Sequence, residues 1–198
     1  MRAEGGDEAS VDNCIQEVER FAGSAGLSVL VNNAGIYPVK PLLDLDLASW
    51  REVMDANLDS AHLFTRAAAR IMGPGSAVVN IASNEGLRPV RSHAHYAVSK
   101  AALIHYTAAA ALELAPLGIR VNAISPGLID RPGLAEQWPQ GYDRYVSIAP
   151  LGRPGSPEEV GHACLFLASK AAAWITGANL VVDGGAGAVS PQDPSTPL

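Results

Sequence analysis

A tyrosine and a lysine that could cooperate in proton transfer stand four residues apart in the segment HAHYAVSKAALIHY (93–106). Residues at this spacing share one face of a helix, so the ammonium of Lys100 can lie beside the phenol of Tyr96 and favour its deprotonated form. A tyrosine with an ordinary pKa of about 10 transfers protons poorly at neutral pH, and a fixed cation brings it into range. The pair therefore predicts a general acid/base, although tyrosine and lysine are common at helical spacing.

Further polar groups accompany this pair along the chain. Ser83 ends the apolar run SAVVNIAS, where a buried strand would finish and a loop would begin. Asn57 lies inside a long amphipathic segment, and NNAG (32–35) and SPG (125–127) each follow an apolar run directly. NNAG would close a strand at the carboxyl edge of a parallel sheet, which is where ligands of open α/β folds bind.

In this combination the chain resembles the short-chain dehydrogenase/reductase family. The matching features occur in the family's order over roughly residues 7–186: NNAG, the helical Asn57, Ser83, Tyr96 with Lys100, the turn at Pro126 and Gly127, and the closing ITGANLVVDGG (175–185). The resemblance implies an α/β fold with a doubly wound, Rossmann-like parallel sheet. It also implies an oxidoreductase that interconverts carbonyl and alcohol groups with NAD or NADP.

The resemblance also implies a role for each site residue. Ser83 would hydrogen-bond the substrate oxygen beside Tyr96, Lys100 would hold the ribose hydroxyls of the cofactor, and Asn57 would place a water that connects Lys100 to solvent. Cofactor contacts are expected from Asn33, Ala34, Gly35, Tyr96, Lys100, Pro126, Gly127 and Ile129. The substrate pocket is expected to include Asn84, and Trp138 with Tyr142 from a variable lid.

Two features depart from the family pattern. The family's first strand runs into a glycine-rich turn at the cofactor pyrophosphate, whereas this chain begins MRAEGGDEAS and residues 8–23 look like the helix after the third strand. Arg131 stands where the family carries a threonine that contacts the nicotinamide carboxamide. We therefore expect a domain that lacks its first βαβα portion, and both departures argue against ordinary cofactor binding. The residue that selects NAD or NADP cannot be read from this sequence, and neither can the substrate.

Helical and extended patterns alternate along the chain and predict a single α/β domain over residues 1–187. Helices are predicted near 8–23, 48–72, 94–116 and 157–169, and strands near 27–32, 76–82, 119–124 and 179–182. SPEEV (156–160) has the serine, proline and acids that favour a helix start. The segment 188–198 is rich in proline and serine and is predicted to be disordered.

Composition excludes several classes of protein. The chain has 198 residues, 48% of them hydrophobic, and its net charge of −6 argues against an electrostatic nucleic-acid site. Cys14 and Cys164 are far apart and lack metal-ligand spacing, so no metal site and a reducing cytoplasm are expected. No apolar run is long enough to span a membrane. His93 and His95 are interpreted as solvent-exposed loop residues rather than metal ligands.

The missing portion would leave the strand before NNAG with an open edge, which invites pairing with another chain. We therefore expect a homo-oligomer, a dimer or a tetramer, or else a monomer whose N-terminal segment folds across the gap. Family members usually assemble through helices that correspond to 48–72 and 94–116. Two other functions remain open: a cofactor-independent isomerase, dehydratase or cyclase that uses the same cluster for proton transfer, and an inactive partner subunit.

Overall fold

A four-stranded parallel sheet forms the centre of the protein. The computed structural model describes residues 5–190, so the part of the predicted tail from residue 191 onward lies outside the described residues. Strands β1 (Leu27–Asn32), β2 (Met72–Ile81), β3 (Arg120–Pro126) and β4 (Asn179–Val182) are paired in chain order, and every pair is parallel. The four predicted strands are confirmed, and the fold is a parallel α/β sheet with flanking helices.

Seven α-helices connect and flank these strands within residues 5–190. They are α1 (Glu8–Ala22), α2 (Leu47–Met54), α3 (Ser60–Ala68), α4 (Ala94–Leu114), α5 (Leu134–Gln137), α6 (Pro139–Ile148) and α7 (Pro157–Ala168). The predicted helix over 48–72 is wrong in two respects. A π-helical segment, Asp55–Asp59, separates α2 from α3, and α3 ends at Ala68 because β2 begins at Met72.

Helices cover the two faces of the sheet unequally. On one face, α1, α3 and α4 bury a core with β2 and β3 that includes Val11, Ala67, Val78, Ala111 and Val121. On the other face, α7 packs against β2 and β3 through Leu167, Val79 and Ile124. Such short apolar strands, covered on both sides, are typical of parallel sheets.

Strand β1 is an edge of the sheet in the described part of the chain, where only β2 pairs with it. Leu30 packs against the core, whereas Val29 and Val31 are 38% and 43% exposed. The open edge predicted beside the NNAG turn is therefore present among residues 5–190. No helix in this range is both long and apolar enough to cross a membrane.

Candidate active site

The predicted site residues meet at the carboxyl edge of the sheet. NNAG follows the end of β1, Ser83 follows the end of β2, and Tyr96 and Lys100 occupy the first two turns of α4. Asn57 reaches the same place from the π-helical segment. Because parallel strands all end at one edge, loops that are distant in sequence converge there and form a binding crevice.

Buried amides fix the strand ends beneath this site. The side chain of Asn32, the first residue of NNAG, donates to Asn80 Oδ1 at 2.8 Å and to Thr65 Oγ1 at 3.0 Å. Asn80 in turn donates to Thr107 Oγ1 at 2.9 Å, which ties β1 and β2 to α3 and α4. Asn32 therefore has a structural role, and the turn that follows it is held in place from below.

Tyr96 lies half-buried between two aromatic rings. Tyr37 and His93 meet it edge to face, with ring centroids 6.3 Å and 6.0 Å away. Burial raises the pKa of Tyr96, a hydrogen bond with the Ser83 side chain opposes that increase, and the nearby Glu85 carboxylate adds to it. Burial outweighs the hydrogen bond with Ser83, so the pKa of Tyr96 lies above its ordinary value, opposite to the direction expected from the spacing to Lys100.

Lys100 is buried beneath the tyrosine rather than paired with its oxygen. Its ammonium donates to the Ile81 carbonyl at 2.8 Å and lies 5.8 Å from the centroid of the Tyr96 ring. The residue is only 4% exposed, and burial lowers its pKa to about 8. Such a lysine can release and regain a proton near neutral pH far more readily than an exposed one.

Asn57 is held by three hydrogen bonds. Its Oδ1 accepts from the backbone N–H of Ile36 at 2.7 Å, and its Nδ2 donates to the Ile36 carbonyl at 2.9 Å and to Ser99 Oγ at 3.0 Å. Both amide donors are therefore engaged. Any water placed by this side chain, as the sequence analysis expects, would have to donate to Oδ1. A π-turn at this position agrees with the frequent occurrence of such turns at functional sites.

Ser83 is oriented by the short turn that follows it. Its Oγ accepts from the backbone N–H of Glu85 at 3.1 Å and thereby caps the 3₁₀ turn Asn84–Gly86. Because this bond uses a lone pair, the hydroxyl hydrogen stays available for a neighbouring oxygen. Ser83 is thus prepared to act as a donor beside Tyr96.

The ribose end of a nicotinamide cofactor fits two observations. Lys100 has three N–H donors and bonds to one protein acceptor among residues 5–190, which leaves two donors for adjacent hydroxyl groups. A Cβ added at Gly35 would lie 2.8 Å from Asn57 Oδ1 and 3.4 Å from Lys100 Nζ, so the absence of a side chain lets the NNAG turn lie against both. Asn33 and Ala34 are exposed on the same turn.

The predicted cofactor residues after β3 are also engaged within the protein. Gly127 donates to the Val182 carbonyl at 3.0 Å, and a Cβ added there would overlap the hydroxyl of Tyr145, which donates to the Asp183 carbonyl at 2.7 Å. Pro126 is buried at the end of β3, and Ile129 forms an isolated parallel bridge with Gly155. Their proposed contacts with a cofactor stay predictions.

The predicted substrate-pocket residues are not all brought to the cluster. Asn84 lies beside Ser83 in the 3₁₀ turn. Trp138 is about half exposed between α5 and α6, where it packs over Gly141, and Tyr142 lies in α6. In the described structure, neither aromatic residue makes a hydrogen bond or a ring contact with Ser83, Tyr96 or Lys100. Arg131 is exposed, and its backbone N–H donates to the Asp130 side chain.

The structure changes the interpretation of the two histidines that precede Tyr96. His95 is fully buried, and its ring nitrogens have no hydrogen-bond partner in the part of the chain that the structure describes. His93 Nδ1 lies 2.9 Å from Glu85 Oε2 and is mostly buried. The expectation of solvent-exposed loop histidines is therefore wrong, because the first turn of α4 packs beneath the loops of the site. In the sequence, the acidic residue two positions after Ser83 could have indicated a partner for one of these histidines.

No group of three or more potential metal ligands occurs within residues 5–190. An open depression of about 400 Å³ adjoins the site and is lined by Gly35, Ile36, Tyr37, Pro38 and Glu52. Tyr37, which lines the depression, also contacts the ring of Tyr96.

Comparisons with known proteins agree with this geometry. A family model described as enoyl-(acyl carrier protein) reductase matches residues 2–187. The chain is 38% identical over 180 residues to 3-oxoacyl-[acyl-carrier-protein] reductase FabG of Aquifex aeolicus, which covers 90% of this chain and 72% of that protein. It is 41% identical over 175 residues to galactitol 2-dehydrogenase (L-tagatose-forming) of Cereibacter sphaeroides, with 81% of this chain and 66% of the relative covered.

A solved structure shows the same fold. The short-chain dehydrogenase/reductase SDR:Glucose/ribitol dehydrogenase from Brucella melitensis superposes with a TM-score of 0.88 at 32% identity, over 94% of this chain and 75% of the other.

Proposed function

Because this chain belongs to the short-chain dehydrogenase/reductase family, we propose that it interconverts an alcohol and a carbonyl compound with NAD or NADP, using Tyr96 as the acid/base. The relatives named above are dehydrogenases and reductases, so the chain is an oxidoreductase. One observation carries the finer proposal: the ammonium of the buried Lys100 lies 5.8 Å from the centroid of the Tyr96 ring, and the Ser83 side chain is close enough to lower the Tyr96 pKa.

Each residue of this cluster has a separate task. In carbonyl reduction, Tyr96 donates its phenolic proton to the substrate oxygen, and its raised pKa keeps that proton in place before the reaction. Ser83 donates a hydrogen bond to the same oxygen and stabilises the negative charge that develops on it. Lys100, with a pKa of about 8, returns a proton towards Tyr96 from within the protein. A bound nicotinamide supplies or accepts the hydride at the substrate carbon.

The cofactor contacts follow from the unused donors of the site. Lys100 would hold the nicotinamide ribose, and the NNAG turn would lie against it at Asn33, Ala34 and Gly35. Pro126, Gly127 and Ile129, at and just after the end of β3, would provide further contacts for the cofactor. Cofactor-free proton transfer has less support, since the named relatives are dehydrogenases and reductases.

Calorimetric titration of the purified chain with NADH and NADPH tests the proposal, followed by carbonyl reduction with the tighter cofactor. We expect binding of one of the two, and turnover that falls at least a thousandfold in Tyr96→Phe while cofactor affinity is retained, because only the titrating oxygen is removed. A folded protein that binds neither dinucleotide, or a Tyr96→Phe variant with unchanged turnover, would refute the proposal.

A further inference from the structure

A carboxylate–imidazole pair borders the approach to Tyr96 and is not used by the reaction proposed above. Glu85 lies in the turn after Ser83, and His93 is the residue that precedes α4. The two side chains meet at 2.9 Å and are 20% and 17% exposed. The pair is therefore fixed by the protein but still accessible to a small molecule.

Both members of the pair act directly on the reactive tyrosine. The His93 ring meets the Tyr96 ring edge to face at 6.0 Å, with an angle of 77° between the ring planes. The Glu85 carboxylate is close enough to raise the pKa of Tyr96, and its backbone N–H holds the oxygen of Ser83. A substrate whose oxygen lies between Ser83 and Tyr96 therefore places its neighbouring atoms near this pair.

In the tautomer of His93 that donates from Nδ1 to Glu85, the hydrogen-bonding capacity that the pair leaves unused consists of acceptors. Glu85 Oε1 and His93 Nε2 have no hydrogen-bond partner among residues 5–190. When Nδ1 of a neutral imidazole donates to a carboxylate, Nε2 carries a lone pair and accepts. A ligand that satisfies both atoms must bring hydroxyl or N–H donors.

The charges around the approach oppose an anionic substrate group at this position. Glu85 and Glu52 both border it, with Glu52 in the wall of the open depression. Lys40 is already bonded to Asp46 and Ser49, and Lys100 is buried beneath the tyrosine. Arg88 and Arg91, on the loop between Glu85 and His93, are exposed. A carboxylate bound at Glu85 itself would meet like charge, whereas a hydroxyl group would not.

We propose that Glu85 and His93 bind a second hydroxyl group of the substrate, next to the reacting carbon, so that the enzyme acts on neutral vicinal diols and hydroxyketones. The inference rests on the function proposed above. In oxidation, Tyr96 first passes its own proton towards Lys100. The C–H and O–H bonds of the reacting carbinol then break and a C=O bond forms; the hydride goes with its electron pair to the nicotinamide, and the proton goes to the Tyr96 oxygen. Glu85 and His93 bind the adjacent hydroxyl and neither gain nor lose protons or electrons.

Three alcohols with the same three-carbon skeleton test this specificity: propane-1,2-diol, propan-2-ol and lactate. The wild-type enzyme is expected to oxidise the diol with a kcat/KM at least about tenfold above that of either other alcohol, because a hydrogen bond to a charged group discriminates by that factor or more. Glu85→Gln and His93→Phe should each reduce the preference for the diol over propan-2-ol to about one- to threefold. In His93→Phe the ring remains against Tyr96, so only the acceptor and its bond to Glu85 are lost.

His62→Phe is the matched control, since it makes the same chemical change beside Tyr106, outside the site. It should keep the wild-type preference. Equal rates for the three alcohols, a preference for lactate, or a diol preference that survives both variants would overturn the inference and leave the proposed function intact. A chain that binds NADH but oxidises none of the three alcohols would also overturn the inference. Absence of both dinucleotide binding and turnover would instead refute the proposed function, and the inference with it.

Discussion

Lys100 combines burial with a charge that the proposed reaction requires. Its pKa in the folded protein is about 8, against an ordinary value of 10.5, so between these values the unfolded chain binds more protons than the folded one. Stability therefore rises with pH across this window through Lys100, by up to about 1.4 kcal/mol per pH unit. Below about pH 8, Lys100 is protonated in both the folded and the unfolded state, so the folded protein bears the full free-energy cost of burying its charge.

Lys100→Met should remove this pH dependence and abolish activity together. The difference in unfolding free energy between the variant and the wild type is expected to shrink as the pH rises from about 8 towards about 10.5, as measured by urea unfolding at several pH values. The exposed Lys170→Met serves as the control and should follow the wild type. A constant difference between Lys100→Met and wild type would show that the lysine is not destabilised by burial.

His95 is a single residue at which the loss of stability at low pH can be tested. Burial lowers its pKa, His93 and Lys40 add to the effect, and a weaker contact with the backbone of His93 opposes it. Its contribution to stability is therefore present above the ordinary pKa of about 6.5 and is lost as the pH falls below it. We expect His95→Leu to lose less stability than the wild type between about pH 7 and pH 5, in urea unfolding. The exposed His62→Leu should lose as much stability as the wild type over this pH range. An equal loss in His95→Leu and the wild type would contradict the prediction.

At the scale of the elements, the NNAG turn and the π-helical segment form one unit. Gly35→Ala would place a methyl group 2.8 Å from Asn57 Oδ1 and 3.4 Å from Lys100 Nζ. We expect it to displace the Asn57 amide from Ile36 and to reduce both NADH affinity and turnover by about tenfold or more, since small misplacements of site groups are costly. Gly73→Ala is the control, because a Cβ there meets open space. Equal NADH affinities for the two variants would show that the turn tolerates the change.

The sequence predicts the elements best where their determinants are local. The start of α7 is confirmed: Ser156 Oγ accepts from the Glu159 backbone at 3.3 Å, and the Glu159 carboxylate accepts from the Ser156 backbone at 2.8 Å. Features that depend on contacts between residues far apart in the sequence were not predicted. The π-segment is held by bonds between Asn57 and Ile36, 21 residues apart, and it hardly alters the hydrophobic pattern. The direction of the Tyr96 pKa and the burial of His95 likewise depend on packing, which spacing along one helix does not report.

At the scale of the whole molecule, the uncovered side of β1 is the surface most suited to self-association. Its free edge offers backbone donors and acceptors, and Val29 and Val31 add exposed apolar area. We propose that the chain forms a homo-oligomer in which this surface is covered. Sedimentation velocity should show association of the wild type, and the double variant Val29→Lys, Val31→Lys should weaken it by about tenfold or more.

A second surface supplies the control for this experiment. Leu112 on α4 is 79% exposed and belongs to one of the two helices expected from the family resemblance to form a subunit contact. If Leu112→Lys dissociates the oligomer while the β1 double variant leaves it intact, the subunit interface is formed by the helices and not by β1. A wild-type chain that stays monomeric at all concentrations would contradict the proposed oligomer.

The order of the strands also bears on how the protein is made. Because the sheet is paired in chain order, each strand after β1 pairs with the strand that is synthesised just before it. The four proposed catalytic residues, Asn57, Ser83, Tyr96 and Lys100, all precede β3 in the sequence. They are therefore all synthesised before β3, the second neighbour of β2 in the sheet.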